Sequence, residues 1–169
     1  MTRRPPSVRS TERRPAPGPE PGTYLVTMSE LEPDVCWRLV GRARFGRVAF
    51  VRDGEPWVLP VNCRAVDGTV VFRTSDGSML QRLHGCTAVF EADGTDRVAE
   101  SGWSVLVRGR VREITDAVER AAIAECGLAP WGPGPRDHWM RIEPFEVTGR
   151  VITRSFRAER GAVPATPPD

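Results

Sequence analysis

The sequence predicts a mainly-β chain: a small antiparallel β-barrel with two or three accessory α-helices. Three observations carry that expectation. Apolar runs of strand type, RVAFV, PWVLPVNCRAV, TVVFRT, TAVFEAD and WSVLVRGRVREI, follow one another between residues 47 and 114. Two of the breaks between them hold Asp-Gly, at Asp53-Gly54 and Asp67-Gly68. That pair suits a type I′ hairpin, whose two central residues both need positive φ. In WSVLVRGRVREI both alternating sets of side chains include apolar residues, as in a strand covered on two sides.

The elements follow in order. Residues 1–22 are rich in Pro and Arg and nearly free of apolar side chains, so a disordered tail is expected there. The folded domain is expected over residues 23–157, with a second loose tail over 158–169. Pro33 suits the first turn of a helix, Asp34 favours that end, and Val35, Cys36, Leu39 and Val40 make an i, i+4 apolar stripe. The first three strands form an antiparallel meander through the two Asp-Gly turns. A short helix is expected in SMLQRLHG, after the third strand. Helix returns in DAVERAAIAECG, where Asp116 and Glu119 resemble a capping box and Gly127 a stop. The Pro/Gly-rich loop LAPWGPGPRD then leads to a last strand, HWMRIEPFEVTGRVI.

Composition removes whole classes of chemistry. All 24 basic residues are arginine. Without lysine there is no Schiff base, no aldimine-anchored pyridoxal phosphate and no Walker-type loop. Five of the 24 arginines fall in residues 1–22, and the remaining chain is close to neutral, with no sign of a nucleic-acid groove. Cys36, Cys63, Cys86 and Cys126 are widely spaced, and neither His84 nor His138 lies at ligand spacing from any of them, so no metal site is expected and the thiols are read as reduced and mostly buried. No run reaches the roughly 18 apolar residues of a membrane span. A soluble, cytoplasmic protein is the expectation.

One stretch asks for more. FRTSDGSML, residues 72–80, delivers Arg73, Thr74, Ser75 and Ser78 to the turn after a strand. A guanidinium, hydroxyls and free N–H groups suit an anion. Ser and Asp are equally the ordinary residues of a polar turn with a helix cap.

Five segments together, GRVAFV, PVN, VVFRTSDGSML, GWSVLVRGRVREI and HWMRIEPFEVTGRVI, resemble the pyridoxamine 5′-phosphate oxidase-like proteins, the flavin-binding split barrels, and among them the small actinobacterial members. The resemblance spans roughly residues 28–153. It implies a split β-barrel, FMN or in some branches a deazaflavin coenzyme, and a homodimer with the cofactor cleft between subunits. It also implies hydride or electron transfer to or from an unidentified small molecule. The alternative is a non-enzymatic module holding flavin or haem.

Carried over by position, Arg73, Thr74, Ser75 and Ser78 would hold the phosphate, with Met79 standing where relatives commonly have lysine. Losing that cation removes one charge-assisted contact, on the order of 1.5–3 kcal/mol when buried. Pro60, Val61 and Asn62 would lie along the isoalloxazine ring, or Asn62 would instead satisfy backbone at a strand bend. Trp103 and Ser104 would approach the ring, although Trp103 suits a core equally. Trp139 and Arg141 would reach over the cleft from the partner subunit, where Arg141 has an interface ion pair as its alternative. No catalytic acid, base or nucleophile is identified. GxSxG and GxGxxG are both missing, so the chemistry would be the cofactor's.

Overall fold

A computed structural model of the chain describes residues 24–156. The expected tails at 1–22 and 158–169 lie outside the described residues. Val26–Ser155 form one compact unit. The elements are β1 (Tyr24–Glu30), α1 (Pro33–Arg42), β2 (Phe45–Arg52), β3 (Glu55–Val66), β4 (Thr69–Thr74), β5 (Thr87–Asp96), β6 (Ser101–Glu113), α2 (Ala117–Ala124) and β7 (His138–Phe156).

Local chemistry explains most of these boundaries. Both Asp-Gly turns have positive φ at both residues: 53° and 80° at Asp53 and Gly54, 47° and 70° at Asp67 and Gly68. They set the register of β2 on β3, with Ala49 opposite Val58, and of β3 on β4, with Cys63 opposite Phe72. Pro33 opens α1, and Asp34 sits in its first turn. Asp116 caps α2, its carboxylate accepting from the Glu119 N–H at 2.8 Å. The helix expected in SMLQRLHG shrinks to a 3-10 turn at Gln81–Leu83. It ends at His84, whose ψ of 125° is extended, and Gly85 follows at positive φ. β1 was not foreseen.

The strands are joined in one seven-stranded sheet, ordered β1-β7-β4-β3-β2-β5-β6, with β7 also paired to β6. This corrects the expected split barrel: the mainly-β, antiparallel character and two α-helices hold, but the strands are organised as a single sheet. The reason lies in β7, whose 19 residues are enough to serve several neighbours. Its first residues, His138–Ile142, pair with β4, while β6 pairs along it from Met140 to Thr153. No helix among the described residues is long and apolar enough to cross a membrane.

Side-chain alternation gives the sheet two different faces. On one, Val48, Phe72, Phe90, Val107 and Met140 pack with Cys36 and Val40 of α1 into the main core. Fully buried groups of this size each contribute roughly 1.5–3 kcal/mol. On the other, α2 covers a smaller cluster of Val71, Ile114, Ile123, Leu128 and Trp139. Arg64 ties that cover down: its guanidinium donates to the carbonyls of Cys126 and Gly127, at 3.3 and 2.9 Å, at the end of α2. The loop that leaves α2 therefore runs over the outer ends of β3 and β4.

Candidate functional site

Strand alternation separates the residues of the FRTSDGSML turn. Phe72 and Thr74 face the main core, and Thr74 is only 1% exposed. Val71 belongs to the outer cluster, and Arg73, two residues on, emerges on that same face. Its guanidinium lies 4.8 Å from the Trp139 ring centroid, and its Nε donates to the Arg136 carbonyl at 2.7 Å. Thr74 and Ser78 instead share a hydroxyl–hydroxyl hydrogen bond of 2.7 Å, and Ser78 Oγ accepts from the Gln81 N–H at 3.1 Å. The Ser75 carbonyl accepts from the Ser78 N–H at 3.3 Å. These groups close the turn on itself.

Arg73 opens onto a cavity of about 340 Å³. Pro60, Val61 and Asn62 of β3 form its floor, together with Phe45 and Leu80. Pro130, Trp131, Gly132 and Arg136 of the loop after α2 form its roof. The loop is fastened at two points. Asn62 Oδ1 accepts from the Trp131 N–H at 2.8 Å, and the Trp131 ring stacks on Phe45 with centroids 5.7 Å apart and planes 6° off parallel. The Asn62 amide N–H₂ reaches back to the Arg44 carbonyl at 3.4 Å.

The electrostatics of this cavity are one-sided. Two arginines line it and no carboxylate does. Arg136 Nε is buried without a hydrogen-bond partner among the described residues. A buried donor left unpaired costs about 1–3 kcal/mol, more when charged, so the guanidinium gains by turning this edge toward an acceptor in the cavity that its residue lines. Gly132 makes its position possible: a Cβ there would lie 2.1 Å from an Arg136 guanidinium nitrogen.

The sequence matches the family described as pyridoxamine 5′-phosphate oxidase over residues 32–151. The chain belongs to that family. An uncharacterized protein of Mycobacterium tuberculosis is 37% identical over 133 residues, covering 75% of this chain and 87% of the relative. Among solved structures, an FAD binding protein from Mycobacterium smegmatis superposes with a TM-score of 0.65 at 31% identity, covering 74% of this chain and 98% of its own. A conserved Corynebacterium diphtheriae protein of unknown function gives 0.62 at 27% identity, with 73% and 96% covered.

Within this pyridoxamine 5′-phosphate oxidase family fold, the residues singled out in the sequence fall into separate places. Pro60, Val61, Asn62 and Arg73 meet at the cavity. The Thr74 and Ser78 side chains are engaged in the turn, Ser75 takes part through its backbone carbonyl, and Met79 packs against the main core. Trp103 is also packed on that core, its ring lying over Gly94, where a Cβ would come within 2.6 Å of the indole nitrogen. Ser104 lines two other cavities, of about 220 and 370 Å³, and none of the Asn62 cavity. Trp139 is buried in the outer cluster beneath Arg73. Arg141 is paired within the chain to Glu119 of α2.

Phe45, Trp131 and Arg136 went unread in the sequence. For Trp131 and Arg136 the one sign is PWGPGPRD, where Pro130, Pro133 and Pro135 stiffen a loop that carries an aromatic and a cation. His138, the first residue of β7, contacts Glu113 and Asp76, at 2.6 and 3.3 Å. The Glu113 hydrogen bond holds its imidazole above the usual histidine range. His84 Nδ1 accepts from the Glu113 N–H at 3.0 Å. Glu91 pairs with Arg47 at 2.9 Å. All four cysteines are free; Cys36 and Cys63 are buried, whereas Cys86 is exposed and Cys126 half-buried, which corrects the mostly buried reading. Among the described residues no cluster of three or more His, Cys, Asp or Glu side chains is placed to hold a metal ion.

Proposed function

We propose that the protein is a flavin-binding oxidoreductase that holds FMN or FAD at the Asn62–Arg73 cavity and exchanges a hydride or electrons with a small molecule. The observation that carries this reading is the combination of an apolar, partly roofed cavity with two arginines and no acid in its lining. A flavin fits that set: its ring system needs flat apolar walls and a few polar edges, and its phosphate needs cations. Membership of the family supports it, as does the likeness to the FAD binding protein of M. smegmatis.

Phe45, Trp131 and Val61 would supply the apolar walls, Asn62 a polar edge, and Arg73 and Arg136 the cations. When bound, the flavin supplies the redox chemistry. The chain's contribution is to bind, orient and shield: the loop fastened through Trp131 excludes water, and the arginines fix the anionic end. The cavity has no acid–base side chain, which favours a second reading, a module that holds the cofactor without turning over a substrate.

A homodimer accompanies the first reading. Val51, Val58 and Leu106 lie on one face of β2, β3 and β6 and are 71%, 60% and 39% exposed. Phe45 and Asn62 sit on the same face, so a second copy covering the apolar stripe would border the cavity.

The test is an absorption spectrum after incubation with FMN, FAD or the deazaflavin coenzyme, followed by gel filtration. Retention of FMN or FAD, then reduction of the bound flavin by a nicotinamide donor and reoxidation by an acceptor, is the expected result. Retention of the deazaflavin alone would replace the cofactor in the proposal. Retention without any turnover would select the holding module. Failure to retain any of the three would end the flavin reading.

A further inference from the structure

We propose that Arg136 and Arg73 form an anion-binding pair that grips a ligand's phosphate inside the Asn62 cavity, in place of the Thr74–Ser78 turn. The identity of the preferred ligand rests on the flavin reading above, but the pair itself stands on the side chains.

Four observations meet here. Arg136 Nε is buried and unpartnered, and its residue lines the cavity. Arg136 makes no ion pair among the described residues, and the acid nearest Arg73 is Asp137 at 3.7 Å, with a side chain 79% exposed. Two guanidinium groups in the wall of one cavity, with no carboxylate in that wall, are favourable when an anion lies between them. The Arg73 Nε bond to the Arg136 carbonyl couples the two residues, so each helps hold the other in place.

The turn offers much less. The Thr74 and Ser78 hydroxyls bond each other, Ser78 Oγ already accepts from the Gln81 N–H, and the Gly77 N–H is taken by Gln81 Oε1 at 2.6 Å. No cation follows Ser78, since Met79 packs into the core. The group recognised is therefore a phosphate monoester or diphosphate, carried either by the flavin or by a phosphorylated substrate.

The experiment compares flavins that differ only in that group. The full-length protein is titrated with riboflavin and with FMN, reading flavin fluorescence, and its melting temperature is followed with phenyl phosphate and with pyrophosphate. Wild-type protein is expected to prefer FMN over riboflavin by at least about tenfold, the worth of one charge-assisted contact. Arg136→Gln should lower FMN affinity by about ten- to a hundredfold and leave riboflavin binding unchanged, which also certifies its fold. Arg136→Lys, keeping the charge, should retain part of the preference, and Ser78→Ala all of it.

An equal loss for both flavins in Arg136→Gln, or a preference that collapses in Ser78→Ala instead, would overturn the pair. FMN binding with no preference over riboflavin would also overturn it while leaving the flavin reading intact. If no flavin binds, a rise in melting temperature with phenyl phosphate or pyrophosphate that Arg136→Gln abolishes keeps the pair and rejects the flavin. If neither flavin nor anion has any effect, both fall. Phenyl phosphate that competes with FMN assigns the site to the cofactor's phosphate. Phenyl phosphate that still binds to FMN-saturated protein assigns it to a substrate.

Discussion

His138 Nδ1 lies 2.6 Å from Glu113 Oε1, joining the first residue of β7 to the last residue of β6. Asp76 faces the other ring nitrogen at 3.3 Å, Gln81 Nε2 stands 3.0 Å from Nδ1, and Asp137 adds a further negative charge nearby. The acids favour the imidazolium, chiefly through the Glu113 hydrogen bond, so the folded-state pKa is raised above 6.5. A raised pKa contributes stability that is complete below the unfolded value and lost as pH rises through the folded one. The melting temperature should therefore fall as pH increases above about 6.5, and His138→Gln should flatten that part of the profile. Parallel profiles for the two proteins would refute the linkage.

Arg73 carries two loads, the hydrogen bond to the Arg136 carbonyl and the stack on Trp139. Arg73→Ala should cost about 2–4 kcal/mol, from one charge-assisted bond and one cation–π contact. The protein should still fold, and it should lose flavin retention on gel filtration. Urea unfolding read beside the absorption spectrum separates the two effects. Full retention of flavin in a destabilised variant would make Arg73 structural only.

The thiols should divide by burial. Desolvation raises the Cys63 pKa to about 11, so its thiolate is scarce near neutral pH. Cys86 is exposed. Brief alkylation at pH 7.5 followed by peptide mass spectrometry should label Cys86 and spare Cys63. Equal labelling would mean that the β3 backbone opens readily.

Leu106→Glu tests the proposed dimer. Leu106 is 39% exposed and lies across β5 from the Arg47–Pro60 pair, one residue pair from Val58 on the same face. A carboxylate there, directly opposite Glu91, should cost the monomer no more than about 1 kcal/mol, and convert a dimer to monomers by light scattering. An unchanged mass would move the subunit contact elsewhere.

What the sequence by itself determined was written within a few residues. Asp53-Gly54 and Asp67-Gly68 make their turns because the φ values they need are local. Pro33 opens α1 and Asp116 caps α2 for the same kind of reason. The five quoted segments, in their order, were enough to point to the family. The candidate site was legible only in part: Pro60, Val61, Asn62 and Arg73 do meet, but Thr74 and Ser78 do not join them.

Tertiary structure decided the rest. A strand sends neighbouring side chains to opposite faces, so Arg73 and Thr74, adjacent in sequence, end on different sides of β4, one at the cavity and the other in the main core. β7 gathers its neighbours into one sheet because a single long strand offers two edges, which no local pattern announces. Asn62 meets Trp131 across 69 positions, and Arg73 meets Arg136 across 63. Those pairings arise from the way α2 and its following loop settle over the sheet, held by Arg64, and burial then leaves an arginine N–H without a partner in a residue that lines the cavity.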